Sequence, residues 1–423
     1  MPSRRKAPAW PLPRPTTTMP SEPPSSPPPP PPPPVRFARA RVEAVLESRG
    51  PWQVLAVRRD GTGDGPARQE QAFHDTALWG ALSPGDQVVL NVTAAELELG
   101  TGGFHFVAWV PGREGILAQA PFPGRRAGHI MKLRYTPLQR RVMAAEEPDH
   151  PFSAFLADRT GLDGMPVVIG GLHSQVAPAV AGLRLVLGNR APIVYVMTDA
   201  GALPAGFSRV VHRLRAQGLL DAVITAGHAY GGDYEAVNPL SALLAARHAL
   251  GAAAALVMPG PGIVGTGHPL ATTAVEQAAW IDGTAAAQGR PVLALRVGFR
   301  DERSRHRGVS HHTLTVLSLA ARPCLLPLPR LQPHEEAVLW SALEEGGLLE
   351  KHFPVTVDGA AAVARLREWL PAAETMGRTV YDDPAFFLAA AAAGVAAGHL
   401  AAVGAGQPPV AGIGPAESEG FRG

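Results

Sequence analysis

The sequence predicts an α/β protein: a doubly wound, mostly parallel sheet of about seven strands, preceded by a small all-β barrel. Three observations predict it. Between Pro166 and Val357, seven apolar runs read as strands: 166–172, 192–198, 221–226, 254–259, 291–297, 323–328 and 353–357. They are apolar at consecutive rather than alternate positions, as strands covered on both faces are. Helical stretches separate them, such as "FSRVVHRLRAQG" with Phe207, Val210, Val211 and Leu214 on one face. Strands that alternate with helices build a parallel sheet. Upstream, between Val35 and Val110, the runs are short and punctuated by glycine: "RFARARVEAVLE", "WQVLAVRRDG", "SPGDQVVLNV" and "GTGGFHFVAWV". About five strands in so short a segment suit a small closed barrel.

The elements follow in order. Residues 1–34 end in eight consecutive prolines, 27–34, and read as a disordered polyproline tail. Residues 35–110 are the barrel and 111–164 a connector, in which "GHIMKLRYTPLQRRV" crosses as an amphipathic strand or helix. Residues 165–375 form the α/β domain, Rossmann-like in pattern, 376–404 a C-terminal helix, and 405–423 a second disordered tail. The stretch "FFLAAAAAGVAAGHLAAV", 386–403, is barely long enough to cross a membrane, and alanine and glycine contribute little to insertion. It reads as a buried helix or a homodimer contact, with no membrane expected.

Composition narrows the classes. The 38 basic and 36 acidic residues leave a net charge of +2, which gives no whole-chain nucleic-acid signature. The barrel lacks surface aromatics interleaved with arginine, so nucleic-acid binding through it is the lesser reading. The single cysteine, Cys324, excludes an intrachain disulfide and a cysteine-based zinc site, and in "PCLLPL" it reads as a buried thiol. Arg4, Arg5 and Lys6 are followed by no apolar run, so no secretory signal is expected and the protein reads as cytoplasmic.

In an open parallel sheet, ligands bind beyond the carboxyl ends of the strands. Five consecutive strand ends deliver polar or glycine-rich material: His173; Thr198 and Asp199; His228, Asp233, Glu235 and Asn238; "GPGIVGTGHP"; and "RHRGVSHHTLT" at 305–315. "GPGIVG" fits G-x-G-x-x-G, and its backbone suits an anion at Gly260, Gly262, Gly265 and Thr266. Pro261 removes a donor and no clear acidic partner stands about 20 residues on, which argues against a dinucleotide. Arg305 and Arg307 suit the clamping of a phosphate or carboxylate, with Asp199 and His173 lining the same face. Ser310 reads as an N-cap that sets His311 and His312 in the first turn of a helix, where the dipole keeps them neutral. The expected acid–base groups are His228, Asp233, His311 and His312, sharing one crevice if strand order allows. A divalent metal is a possible cofactor, with His228, Asp233 and His311 as its expected ligands and His173, Glu235 and His312 as further candidates. No G-x-S-x-G elbow is present, so a Ser-His-Asp hydrolase is not indicated.

The segments "GTGGFHFV", "GHIMKLRYTPLQ", "GLHSQ", "GHAYGGDYEAVN", "GPGIVGTG" and "RHRGVSHHTLT" together resemble a bacterial family known as domain of unknown function 3866, over about residues 35–404. The resemblance implies that the proline tail is an addition; it brings no activity, cofactor or assigned residue. The expectation from the residues is an enzyme acting on a small anionic substrate, metal-assisted or not. The alternatives are a non-catalytic ligand-sensing module and a nucleic-acid-binding barrel.

Overall fold

The computed structural model describes residues 35–60, 68–97, 99, 102–113 and 128–404. The expected disordered tails, 1–34 and 405–423, lie outside them. Five strands close the barrel: β1 (Phe37–Arg49), β2 (Trp52–Arg59), β3 (Arg68–Asp75), β4 (Gln87–Asn91) and β5 (Phe104–Trp109), in the order β1-β2-β3-β5-β4. Strand β2 is covered on both sides for two different reasons. Leu55 and Val57 point into the barrel with Val42, Ala72 and Leu90, while Trp52 and Val54, on the other side of the pleat, join Phe73 and Tyr230 in a separate cluster. Tyr230 belongs to the α/β domain, so this second cluster is the seam between the two domains. Trp52 stacks on Phe73 with ring centroids 5.4 Å apart, and a Cβ on Gly206 would lie 1.9 Å from its ring.

The stretch "GHIMKLRYTPLQRRV" of the connector forms strands: β6 (Ile130–Lys132) and β7 (Arg140–Val142) pair as an antiparallel ribbon. Lys132 pins it. Its buried ammonium donates to the carbonyls of Thr225 (2.9 Å) and Ala229 (2.6 Å) and to Glu235 Oε2 (2.6 Å).

All seven expected sheet strands form, and an eighth joins them. They are β8 (Pro166–Ile169), β9 (Ile193–Thr198), β10 (Ala222–Thr225), β11 (Tyr234–Glu235), β12 (Ala254–Pro259), β13 (Arg290–Leu293), β16 (Leu325–Pro329) and β17 (Phe353–Val357); β14 (Val297–Gly298) and β15 (Gly308–Val309) form a separate ribbon. The order is β11-β10-β9-β12-β8-β13-β16-β17, and every pair is parallel. Every residue of β8, β9, β10 and β12 is buried, which is why these strands read as continuous apolar runs.

Eight helices cover the sheet: α1 (Val176–Leu187), α2 (Arg209–Ala216), α3 (Pro239–His248), α4 (Glu276–Ala286), α5 (His311–Leu319), α6 (Pro333–Glu345), α7 (Ala360–Trp369) and α8 (Pro384–Gly404). Side chains of α1, α2, α7 and α8 build the core on one face, and those of α3, α4, α5 and α6 the core on the other. Helix α8 is long and apolar enough to cross a membrane by length and composition, yet most of it is buried inside the fold. It crosses α1 at a glycine notch: a Cβ on Gly394 would lie 2.0 Å from the Ala179 carbonyl, and one on Gly182 would lie 2.2 Å from that of Ala391. Of the two readings of this stretch, a buried helix or a homodimer contact, the packing supports the buried helix. Its apolar sides are already occupied by α1, α7 and the sheet.

Candidate metal centre

The chain winds outward from β8 toward β9 on one side and from β13 toward β16 on the other, and β8 and β13 are neighbours. Their connections leave in opposite directions, which opens a crevice at their carboxyl ends. Gln175, fully buried, spans its base. Its Oε1 accepts from the amides of Gly171 and Leu172, both at 3.0 Å, and its Nε2 donates to the Ala294 carbonyl at 2.8 Å. A small cleft of about 10 Å³ lies there, lined by Gly171, Gln277, Arg296 and His312 among others.

The segment after β13 supplies the chemistry. Because β14 and β15 pair antiparallel (Val297 with Val309, Gly298 with Gly308), the chain between them turns back. That turn brings His306 onto the first turn of α5. One nitrogen from each of His306, His311 and His312 lies within 4.8 Å of the others. Ser310 caps α5 as expected, its side chain accepting from the His312 amide. The same oxygen meets His306 Nδ1 at 2.8 Å, leaving His306 Nε2 for another partner. His311 Nε2 and both ring nitrogens of His312 are buried with no hydrogen-bond partner among the described residues.

Burial, followed by the charges of nearby arginines, sets the protonation. It brings His311 and His312 down to about 4 and His306 to about 3, so all three are neutral at pH 7. The arginines concerned are Arg296, Arg303 and Arg305. Burial opposes ionisation of Asp301, but hydrogen bonds from Arg303 and the charge of Arg378 outweigh it and hold the carboxyl well below its usual range. Arg303 grips Asp301 through two nitrogens, at 2.9 and 3.0 Å. Arg296 is only 3.7 Å from the same carboxylate, and Arg305 is exposed with no ion pair among the described residues. The cluster thus carries more cationic than anionic charge.

The sequence-predicted residues do not share one place. His311, His312 and Arg305 lie at this centre, and Gly265 reaches it: a Cβ there would sit 3.3 Å from His312 Cε1. Arg307 instead holds its own loop, donating to the Asp301 carbonyl at 2.8 Å. His228 and Asp199 meet each other, the His228 amide donating to Asp199 Oδ2 at 2.8 Å while His228 Nδ1 accepts from the Leu133 amide at 3.0 Å. Asp233 lies beside the start of β10, its two oxygens taken by the Val223 amide (2.8 Å) and Arg215 (2.9 Å). His173 meets Ser208 near the barrel, at 2.6 Å. The shared crevice of His228 and Asp233 with His311 and His312 does not form. Four strand steps separate β10 from β13, on the order of 19 Å at the usual spacing. The metal set His228, Asp233 and His311 fails with it. The glycine loop does not open a helix either: α4 begins at Glu276, after a turn in which Gly265 bridges to Thr272. Gly260 packs against the Ala202 carbonyl, and Thr266 donates its amide to Ala271.

A family model described as a protein of unknown function, DUF3866, matches residues 71–394. The chain belongs to that family. The match runs from β3 into α8 and contains the whole histidine centre of this DUF3866 chain. No curated protein and no solved structure matches the chain. A family name of this kind assigns no reaction, so the function of the DUF3866 fold is argued from its sites.

Sequence reasoning quoted His306 within its motif but did not place it at the site. It also missed Arg296, Gln277 and Glu276. Glu276 opens α4 and accepts from Thr198 Oγ1 at 2.6 Å. Burial pushes its carboxyl up to about 7; the Thr198 bond opposes this and the Asp199 charge adds to it. The folded chain therefore binds more protons than the unfolded one between the ordinary value of 4.5 and about 7. Stability falls as pH rises through that window. Glu276→Gln is expected to flatten this slope and to stabilise the protein at pH 8 by on the order of 2 kcal/mol. Denaturant titrations at pH 5 and pH 8 measure it, and an unchanged pH dependence would refute the assignment.

Proposed function

We propose that the chain is a cytoplasmic enzyme acting on a small phosphate- or carboxylate-bearing substrate, with a first-row divalent metal held by His306, His311 and His312. The observation that carries the reading is the convergence of three buried or half-buried imidazoles, with ring nitrogens of His311 and His312 left unpartnered among the described residues. Buried polar atoms are almost always satisfied, so nitrogens left open toward one another call for a ligand. Neutral imidazoles bind a metal without proton competition at pH 7. Ser310 orients His306 in the way a partner on the second ring nitrogen does in metal sites. The outward winding from β8 and β13 supports reading the domain as Rossmann-like, with its ligand at the strand reversal.

A metal held by these three imidazoles would supply an activated water or polarise a substrate oxygen. The chain's own part is to bind and orient. Arg305 has no ion pair among the described residues, and Arg296 shares the one Asp301 carboxylate with Arg303 and Arg378, an excess of positive charge that disfavours a cation alone and favours a cation together with an anion. Metal affinity is therefore expected to rise when phosphate or a small carboxylate is present. Titration with Co²⁺, followed by its visible absorption, tests the reading. The wild type is expected to bind one equivalent with a tetrahedral spectrum, more tightly with phosphate. The His311→Gln/His312→Gln double variant is expected to bind none while remaining folded. Equal binding by both proteins, or none by the wild type, overturns it.

A further inference from the structure

A second constellation lies at the seam between barrel and α/β domain, and the metal reading does not use it. A cleft of about 250 Å³ is walled by Val54, Phe73, Phe104, Phe207 and Val210, with His173 and Ser208 on its α/β side. Ser208 Oγ lies 2.6 Å from His173 Nε2. The other ring nitrogen, Nδ1, faces the Pro259 carbonyl at 3.2 Å and the Tyr195 hydroxyl at 3.3 Å. The Tyr195 hydroxyl donates to the same carbonyl at 2.9 Å, so the network places the His173 proton on Nδ1 and leaves Nε2 to accept from Ser208. A hydroxyl hydrogen-bonded to an imidazole that a third group orients is the arrangement of an activated serine. Ser208 also caps α2, accepting from the Val211 amide at 3.0 Å. The amides of Arg209 and Val210 therefore stand beside it in the first turn of the helix.

One further observation points to a ligand. Arg49 lines this cleft and is 6% exposed, and its Nη1 is buried without a partner among the described residues. Its Nε is 3.2 Å from Glu47, so the free end of the guanidinium is what the cleft receives. A buried, unpaired guanidinium nitrogen is costly unless an anion meets it.

We propose that this cleft is an acyl-transfer site: Ser208 is the nucleophile, His173 its base, and the substrate an ester whose apolar body lies on Phe73, Phe104 and Phe207 and whose carboxylate meets Arg49. Ser208 Oγ forms a bond to the ester carbonyl carbon while its proton passes to His173 Nε2. The bond from that carbon to the leaving oxygen breaks, and His173 returns the proton to it as the alcohol departs. Water repeats the sequence on acyl-Ser208 and releases the carboxylic acid. His173 is oriented by a carbonyl and a phenol rather than by a carboxylate, so turnover is slow; with a good leaving group such as p-nitrophenolate, acylation outruns deacylation and the acyl enzyme accumulates as a burst.

The test uses the full chain. A fluorophosphonate probe, which transfers phosphorus to an activated serine with loss of fluoride, is expected to modify Ser208, located by peptide mass spectrometry. The p-nitrophenyl half-ester of glutarate is expected to react faster than p-nitrophenyl butyrate. Ser208→Asn keeps a helix-capping side chain and is expected to lose at least about 100-fold in rate with little change in melting temperature. Chelation with EDTA is expected to leave ester cleavage intact, which separates this site from the metal centre. No adduct on Ser208 in the wild type overturns the proposal, as does wild-type turnover by Ser208→Asn. If the asparagine variant fails to fold, the wild-type adduct decides alone. Preference for the uncharged ester overturns the role of Arg49.

Discussion

Gly394→Val is expected to cost roughly 3 kcal/mol or more, enough to unfold a domain of ordinary stability near physiological temperature. The position lies mid-helix, where valine is otherwise only mildly unfavourable. The cost comes from α1: a Cβ at Gly394 would lie 2.0 Å from the Ala179 carbonyl and 3.0 Å from Gly182 Cα, both backbone atoms. A side-chain neighbour is able to rotate away; here a whole helix has to move. Gly404→Val, at the end of the same helix with nothing within 4 Å, is the control. Thermal melts followed by circular dichroism compare the two. A Gly394→Val melt that superimposes on the wild type would show that the helices do not meet this closely.

His306→Ala is expected to weaken binding of Co²⁺ or Zn²⁺ by at least about 100-fold, because it deletes one of three ligands outright. Ser310→Ala, which removes the group that orients His306, is expected to lose about 10- to 100-fold and also roughly 1 kcal/mol of helix capping. The graded order separates ligand from support. Isothermal titration with each metal reads both effects, and equal affinities in the wild type and His306→Ala would remove His306 from the centre.

The strands of the sheet were legible because burial on both faces leaves no polar position to interrupt an apolar run, as in "IVYVMT" of β9. The eighth strand, Tyr234–Glu235, has two residues and no pattern to show. In the barrel, "RQEQAFHD" of β3 reads as polar, because Gln69, Glu70 and Gln71 are polar in succession and Ala72 is the residue of this strand that joins the barrel core. At the site, the Ser310 cap and the pair His311 and His312 were readable locally. The convergence of His306 on them was not, since it depends on the two-residue ribbon β14–β15 folding the chain back. The pairing with His228 failed because strand order is a long-range property: β12 inserts between β9 and β8, and no local pattern announces it. Ser208 read as part of an amphipathic helix, and its partner His173 lies 35 residues away in the sequence.

The seam around Trp52 has a consequence for how the molecule fails. Undocking the barrel would strip cover from Trp52, Val54 and Phe73 on one side and from Phe207 and Tyr230 on the other. Each half would then present a contiguous aromatic patch of the kind that drives self-association. Neither half is therefore a soluble species that the chain visits cheaply. Any change that loosens the seam, such as filling the space at Gly206 beneath the Trp52 ring, shows itself first as aggregation and only afterwards as loss of secondary structure.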